Sequence, residues 1–457
     1  MRGDTMIDSN ELSLWWENHL DEYIEDLKGY VAIPSVAEPD KDGYPFGRPC
    51  YEMLLYIKNL MAKYGLESSL IKNVFAKGSI KGSSDKGAIA IACHGDVVPA
   101  DGEWERSPFE LFLKEGHLVG RGSTDNKGAG IAVLYALRYL KEKHYDNLHD
   151  FVLLVGSAEE IGMYDVPIAF PNGNGALLTL VPDSGFPVAY GEKASLRYEI
   201  PLVLYSDAII SISAGLGTGV IDRAEAVLSD ASGLSGREDI IIDGNKVIAI
   251  GKGRHSATPE GGECAFSKLL GYLSDNGLLE AEPELAKLHG SFTDFYGTGL
   301  GVDVNDEESG RLTMVITEVS AEGRVLHVKV NSRLPFTARP LEVFAGVKKT
   351  FDNAVLLGST DGYKVELTPT IMALNEISNS VYGSDRAPYI MAGGTYAREM
   401  QPAVAFGMGS PLGNVTPPFP QGQGRAHQRN ESVQIERMKN GFMIYAKSLV
   451  YLDKELN

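Results

Sequence analysis

The chain has 457 residues, 44% of them apolar, and a formal net charge of −19. The length predicts two or three domains, and the charge repels phosphate backbones and anionic bilayers, which argues against a nucleic-acid partner or a membrane-surface role. Cys50, Cys93 and Cys264 are too few and too scattered for a disulfide framework. No apolar run reaches the roughly 18 residues of a membrane span and the first twenty residues hold no apolar leader, so a cytoplasmic protein is expected.

Taken in chain order, "LSLWWENHLDEYIEDLKGYVAIPSV" spaces its apolar residues helically and stops before Pro34, and "CYEMLLYIKNLMAKYGLE" is a second amphipathic helix closed at Gly65. Short apolar runs follow that read as buried strands: 88–93, 151–156, 176–181 and, far downstream, 403–408. Between the first two lie a hairpin-like stretch, "FELFLKEGHLVGRG", and a helix, "KGAGIAVLYALRYLKEK". The last helix is expected over "ESVQIERMKNGFMIYAKSLVYLD". Strands alternating with helices predict an α/β catalytic domain: a mixed sheet with helices on both faces. From about 191 to 375 the texture changes. "LRYEIPLVLY", "DIIIDGNKVIAIGKG" and "LTMVITEVSAEGRVLHVKVNSRLP" alternate like antiparallel strands, interrupted by helices such as "CAFSKLLGYLSDNG". The expected organisation is therefore a discontinuous domain, 1–190 with 376–457, and an inserted α+β domain over 191–375.

The chemistry-bearing residues sit where the strands end. His94 and Asp96 close the run 88–93; Glu159 and Glu160 follow 151–156; Asp183 follows 176–181. Asp125 precedes a helix, and His427 precedes the last one. In an open α/β sheet the carboxyl ends of the strands converge on the ligand crevice. Carboxylates gathered there need cations to offset their repulsion. Two imidazoles plus several carboxylates suit zinc or manganese better than magnesium or calcium. Adjacent glutamates on an extended backbone point apart, so one can ligate while its neighbour serves as a base. Taken singly, His94 could cap a strand and Asp183 a turn; together they argue for a metal site. "GRGSTDNKGAG" lacks the order of a phosphate-binding P-loop, and "GLGTG" lacks dinucleotide spacing.

The motifs "HGDVVP", "GRGSTDNKG", "SAEEIG", "PDSG" and "AHQRNE", in that order over residues 94–431, resemble the M20 metallopeptidase family, and the long insert resembles the lid of its PepV-like dipeptidases. The resemblance implies metal ligation by His94, Glu160, Asp183 and His427, with Asp125 bridging two ions and followed by a cis peptide. It makes Glu159 the general base and Asp96 the acceptor of the His94 ring N–H. In the lid it makes His255 the group that polarises the scissile carbonyl, and Arg333 the grip on a substrate carboxylate. Backbone around Gly394, Thr395 and Arg398, in "AGGTYAREM", would help hold that carboxylate. One departure stands out: where PepV-like lids carry an Asn, this chain has Thr218 or Gly219.

The reading is a monomeric two-metal hydrolase, zinc first and manganese second, that cleaves dipeptides by metal-activated water with a Glu base. The alternatives are an N-acyl-amino-acid deacylase of the aminoacylase or desuccinylase type and an inactive metal-binding relative.

Overall fold

A computed structural model describes residues 7–41, 43–215, 217, 219–413, 415–420 and 422–456. Thr218 lies outside them. The chain divides into two compact units: Met1–Gly191, Lys364–Tyr389 and Gly394–Asn457 form the first, and Glu192–Tyr363 with Ile390–Gly393 form the second. The return to the first unit thus comes near 363 rather than 375, because the helix Pro369–Tyr382 packs through Ile371, Leu374 and Ile377 into the first unit's core.

The expected mixed sheet is present. From one edge its strands run Glu67–Ile71, Phe75–Ile80, Asp150–Gly156, Ala88–His94, Leu178–Val181, Ala403–Phe406 and Val188–Glu192. The four central strands, 150–156 through 403–406, are mutually parallel; the pairs outside them are antiparallel. Both faces of Ala88–His94 are buried, which is why it reads as an unbroken apolar run. Register assigns each face its helices. Ile91 lies level with Leu153, and Leu153 with Gly78. A Cβ on Gly78 would meet the Met61 sulfur of the helix Arg48–Lys63. On that same odd-numbered face Gly130 of the helix Lys127–Glu142 sits against Cys93. On the opposite face Gly156 lies against the Tyr396 hydroxyl and Asp165, so shorter elements, Asp165–Ala169 and the 3₁₀ turn Tyr396–Arg398, cover that side.

The long helices Ser9–Val31, Lys127–Glu142 and Ile435–Glu455 meet in an aromatic cluster, with Trp15 stacked on Phe442 at 5.3 Å between centroids and Tyr135 edge-on to Tyr23 at 5.7 Å. Edge-on and offset contacts of this kind add about 0.5–1.5 kcal/mol per pair to area burial. The last helix begins at Ile435, four residues later than its apolar pattern suggests. Ser432–Gln434 instead pairs as a strand with His117–Val119, while the Glu431 carboxylate is engaged by another loop's N–H groups.

The second unit is an eight-stranded antiparallel sheet ordered Ile240–Asp243, Lys246–Ile250, Arg223–Leu228, Ile209–Ala214, Thr313–Glu322, Val325–Leu334, Ala194–Val203, Val355–Thr360. Along Val325–Leu334 every even residue is buried and every odd one partly exposed, the signature of a sheet packed on one side. The buried side joins Phe266, Leu269 and Leu273 of the helix Ala265–Asp275 in a core of its own. Among the described residues no helix is long and apolar enough to cross a membrane.

Candidate metal centre

The parallel register sets His94 level with Gly156, so the strand ends carrying His94 and Glu159–Glu160 lie side by side. Asp183 follows the neighbouring strand, two residues past Val181. Asp125 ends the loop before the helix Lys127–Glu142, and its peptide bond to Asn126 is cis, as the resemblance implies. That loop and helix are forced together at Gly128, where a Cβ would come within 2.1 Å of the Ser123 carbonyl oxygen.

Asp125 sits between two imidazoles. Its Oδ1 lies 2.9 Å from His94 Nε2 and its Oδ2 lies 3.0 Å from His427 Nε2. Beyond each imidazole stands one more carboxylate: Asp183 Oδ2 is 3.7 Å from His94 Nε2, and Glu160 Oε1 is 3.1 Å from His427 Nε2. Each imidazole thus has its nearest second carboxylate, Asp183 for His94 and Glu160 for His427, with Asp125 between the two. Glu159 belongs to the same cluster: one ligand atom each from His94, Glu159 and Asp183 fall within 4.8 Å of one another, as do those of His94, Asp125 and Glu160. The side chain of His94 is 1% exposed and that of His427 is 45% exposed, so solvent reaches the centre from the His427 side.

The charges are strongly perturbed. Burial, then the Asp125 charge, pushes Asp183 up to about 7 and raises Glu160 as well. Burial also carries Glu159 well above the ordinary carboxylate range. Burial would pull His427 down, but hydrogen bonds to Asp125 and Glu160 raise it to about 11; His94 is likewise raised, by Asp125 and Asp183, against its burial. Burial would lift Asp125, but His427 and His94 hold it below its usual range. Four carboxylates competing for positive charge, in a field that holds both imidazoles cationic, is the electrostatic demand that divalent cations meet. The donor set of two imidazole nitrogens and carboxylate oxygens around a shared carboxylate fits a pair of them.

Asp96 lies beside His94 and also braces the neighbouring turn. His94 Nδ1 lies 3.0 Å from the Asp96 carbonyl oxygen and 3.5 Å from its carboxylate, so the carbonyl is the nearer acceptor. The Asp96 carboxylate also accepts the backbone N–H of Glu159 at 3.2 Å and of Glu160 at 3.0 Å, fixing the turn that bears both glutamates. Residues the sequence left without a role surround the centre. Asn126 Nδ2 donates to the Pro182 carbonyl at 2.8 Å and to Asp183 Oδ1 at 3.0 Å. Buried Lys127, pulled down to about 7 by burial, donates to the Tyr30 and Ile33 carbonyls. Buried Asp165 takes the N–H groups of Ser157 and Ala158 and the Tyr396 hydroxyl. Asn126 and Lys127 sit inside a motif beside Asp125; nothing near Asp165 in the sequence marks it.

The remaining candidates are held by their own local contacts. Thr395 caps the turn Tyr396–Arg398, its hydroxyl accepting from Ala397 N at 3.1 Å; a Cβ on Gly394 would strike the Arg398 guanidinium. His255 and Arg333 belong to the second unit. His255 is bridged to Gly219, and its Nδ1 accepts from Ala257 N at 3.2 Å. Arg333 is partly exposed, level with Ser195 and the buried Thr313 on the flanking strands.

The signature described as "Peptidase family M20/M25/M40" matches residues 90–450, most of the chain. The chain belongs to peptidase family M20. It is 25% identical, across 96% of its length and 99% of the relative's, to the Staphylococcus saprophyticus protein that carries the name "Putative dipeptidase SSP1012". Human carnosine dipeptidase 1 has the same fold, with a TM-score of 0.63 at 14% identity over 97% of this chain and 98% of that one. So does the Bacillus subtilis YXEP protein, described as a dinuclear metal binding peptidase of the M20 family, with a TM-score of 0.51 at 11% identity over 96% and 100%. This M20 chain is accordingly a peptidase, and its strand-end cluster is a candidate metal-binding group.

Proposed function

We propose that this M20 peptidase is a two-metal dipeptidase, zinc-loaded with manganese as the alternative, acting as a monomer in the cytoplasm. The observation that carries the proposal is the Asp125 carboxylate with a different imidazole on each oxygen, at 2.9 and 3.0 Å. One ion would be held by His94, Asp183 and Asp125, the other by His427, Glu160 and Asp125. Divalent ions there supply Lewis acidity, which lowers the pKa of water and polarises a carbonyl. Glu159 is the general base. In its ionised form it takes the proton from the attacking water and then passes it to the leaving amine; burial raises its affinity for that proton. Asp96 orients Glu159 and Glu160 by holding both of their N–H groups.

Substrate selection falls to residues whose roles rest on the family resemblance. Arg333 binds the dipeptide's C-terminal carboxylate, for which a guanidinium's bidentate geometry is selective. Backbone at Gly394 and Thr395, with Arg398 beside it, adds to that grip. His255 stabilises the oxyanion that develops on the scissile carbonyl.

The test is hydrolysis of Ala-Ala-type dipeptides against N-acetyl amino acids, after chelation and after adding back zinc or manganese. Metal-dependent cleavage of the dipeptides is expected. Turnover of the acyl amino acids alone would overturn the substrate assignment, and full turnover in chelator would overturn the metal.

A further inference from the structure

The acid with the most main-chain partners around the centre is not one of the ligands. Glu431 is fully buried, and both of its carboxylate oxygens are engaged by the loop that ends in Asp125. Oε1 accepts the N–H of Thr124 at 2.9 Å and of Asp125 at 3.0 Å. Oε2 accepts the N–H of Gly122 at 3.1 Å and Arg121 Nη1 at 2.8 Å. The backbones are joined as well. Gly120 N donates to the Glu431 carbonyl at 2.8 Å, and the Thr124 hydroxyl donates to the Ser432 carbonyl at 2.7 Å. Glu431 lies four residues after His427, in the segment that delivers the second imidazole.

One side chain therefore staples together the two loops whose tips meet across the site. Asp125 can present one oxygen to each imidazole only if its backbone is fixed in orientation. Its own N–H is held by Glu431, and on its other side Asn126 is tied to Pro182 and Asp183. We propose that Glu431 is the positioning residue that aims the shared carboxylate, so that affinity for the pair of metal ions depends on it although it touches neither. The inference rests on the two-metal reading of the site. Outer groups that orient ligands in this way typically change metal affinity 10–100-fold when removed.

The substitution Glu431→Gln tests the idea through its chemistry. A glutamine offers one accepting oxygen and one NH₂. With the oxygen turned to the charged Arg121, the NH₂ faces the Thr124 and Asp125 N–H groups and repels them. Arg121→Met serves as the comparison: it breaks the same buried ion pair but leaves the three N–H bonds to Glu431 in place. The measurement is titration of chelator-stripped protein with zinc at pH 7, with circular dichroism establishing that each variant is folded at the temperature used. The expected result is two ions bound by the wild-type protein, a 10–100-fold weaker affinity in Glu431→Gln, and near wild-type affinity in Arg121→Met. Unchanged affinity in folded Glu431→Gln, or equal losses in both variants, would overturn the proposal. Failure of the wild-type protein to bind two ions would instead overturn the two-metal reading.

Discussion

Asp165 offers a measurement whose sign and size follow from its surroundings. It is buried, with Oδ2 accepting from Ser157 N at 2.7 Å, Ala158 N at 3.0 Å and the Tyr396 hydroxyl, while Oδ1 is buried without a hydrogen-bond partner among the described residues. Burial first and the Asp96 charge second push its carboxyl up to about 7, against the hydrogen bonds that favour the anion. In the unfolded chain it titrates near 3.9. Between these values the folded protein holds a proton that the unfolded chain has released, so stability falls as pH rises through this window and levels off above it. Three pH units at 1.36 kcal/mol each give a ceiling of about 4 kcal/mol. Asp165→Asn is isosteric with the neutral acid and does not titrate. Its stability relative to the wild type should therefore rise with pH, by about 1.6 kcal/mol between pH 5.5 and 7 and by only about 0.4 kcal/mol more by pH 8. All three tryptophans (Trp15, Trp16 and Trp104) lie in the first unit, so urea unfolding followed by tryptophan fluorescence reports on the unit that holds Asp165. Every other titrating group is common to both proteins, so the difference isolates this carboxyl. A difference that stays constant across that range would refute the reasoning.

Glu159→Gln should lower dipeptide turnover by about 10²–10⁴-fold, the usual share of a general base, while metal content by mass spectrometry stays at the wild-type level; loss of metal would make Glu159 a ligand instead. Dialysis against a chelator should abolish turnover, and zinc or manganese should restore it, with sub-stoichiometric recovery tracking the second ion bound. Arg333→Ala should raise KM for dipeptides far more than it lowers kcat, and C-terminally amidated dipeptides should be equally poor substrates for both proteins. Equal losses on free and amidated substrates would remove Arg333 from carboxylate binding.

How much of this was legible beforehand depended on whether the signal was local. Buried parallel strands read as apolar runs because both faces are covered, and Ala88–His94, Asp150–Gly156 and Leu178–Val181 begin within two residues of where those runs predict. The five polar residues at their ends, His94, Asp96, Glu159, Glu160 and Asp183, stood out as candidates by the same rule, since a His or an acid following such a run has few structural uses; Asp125 and His427, which precede helices, stood out by their motifs. The start of the last helix was misplaced because its apolar periodicity continues back through Val433, while what decides the conformation there is the Glu431 carboxylate binding N–H groups 306 to 309 residues away. Asp165 is invisible for a related reason: its side-chain donor, the Tyr396 hydroxyl, lies 231 residues away, and its two nearby donors are backbone N–H groups that carry no residue-type signal. Asp96 marks the boundary between the two cases. Two residues from His94, it is read locally as the imidazole's acceptor and does lie 3.5 Å from the His94 ring, but its bonds to the Glu159 and Glu160 N–H groups across the strand pair carry no local signal. Candidate ligands are thus marked by residue type at a strand end, whereas their orientation is set by backbone donors that only the folded chain brings into reach. A sequence can announce a metal site without disclosing which buried acids hold it in shape.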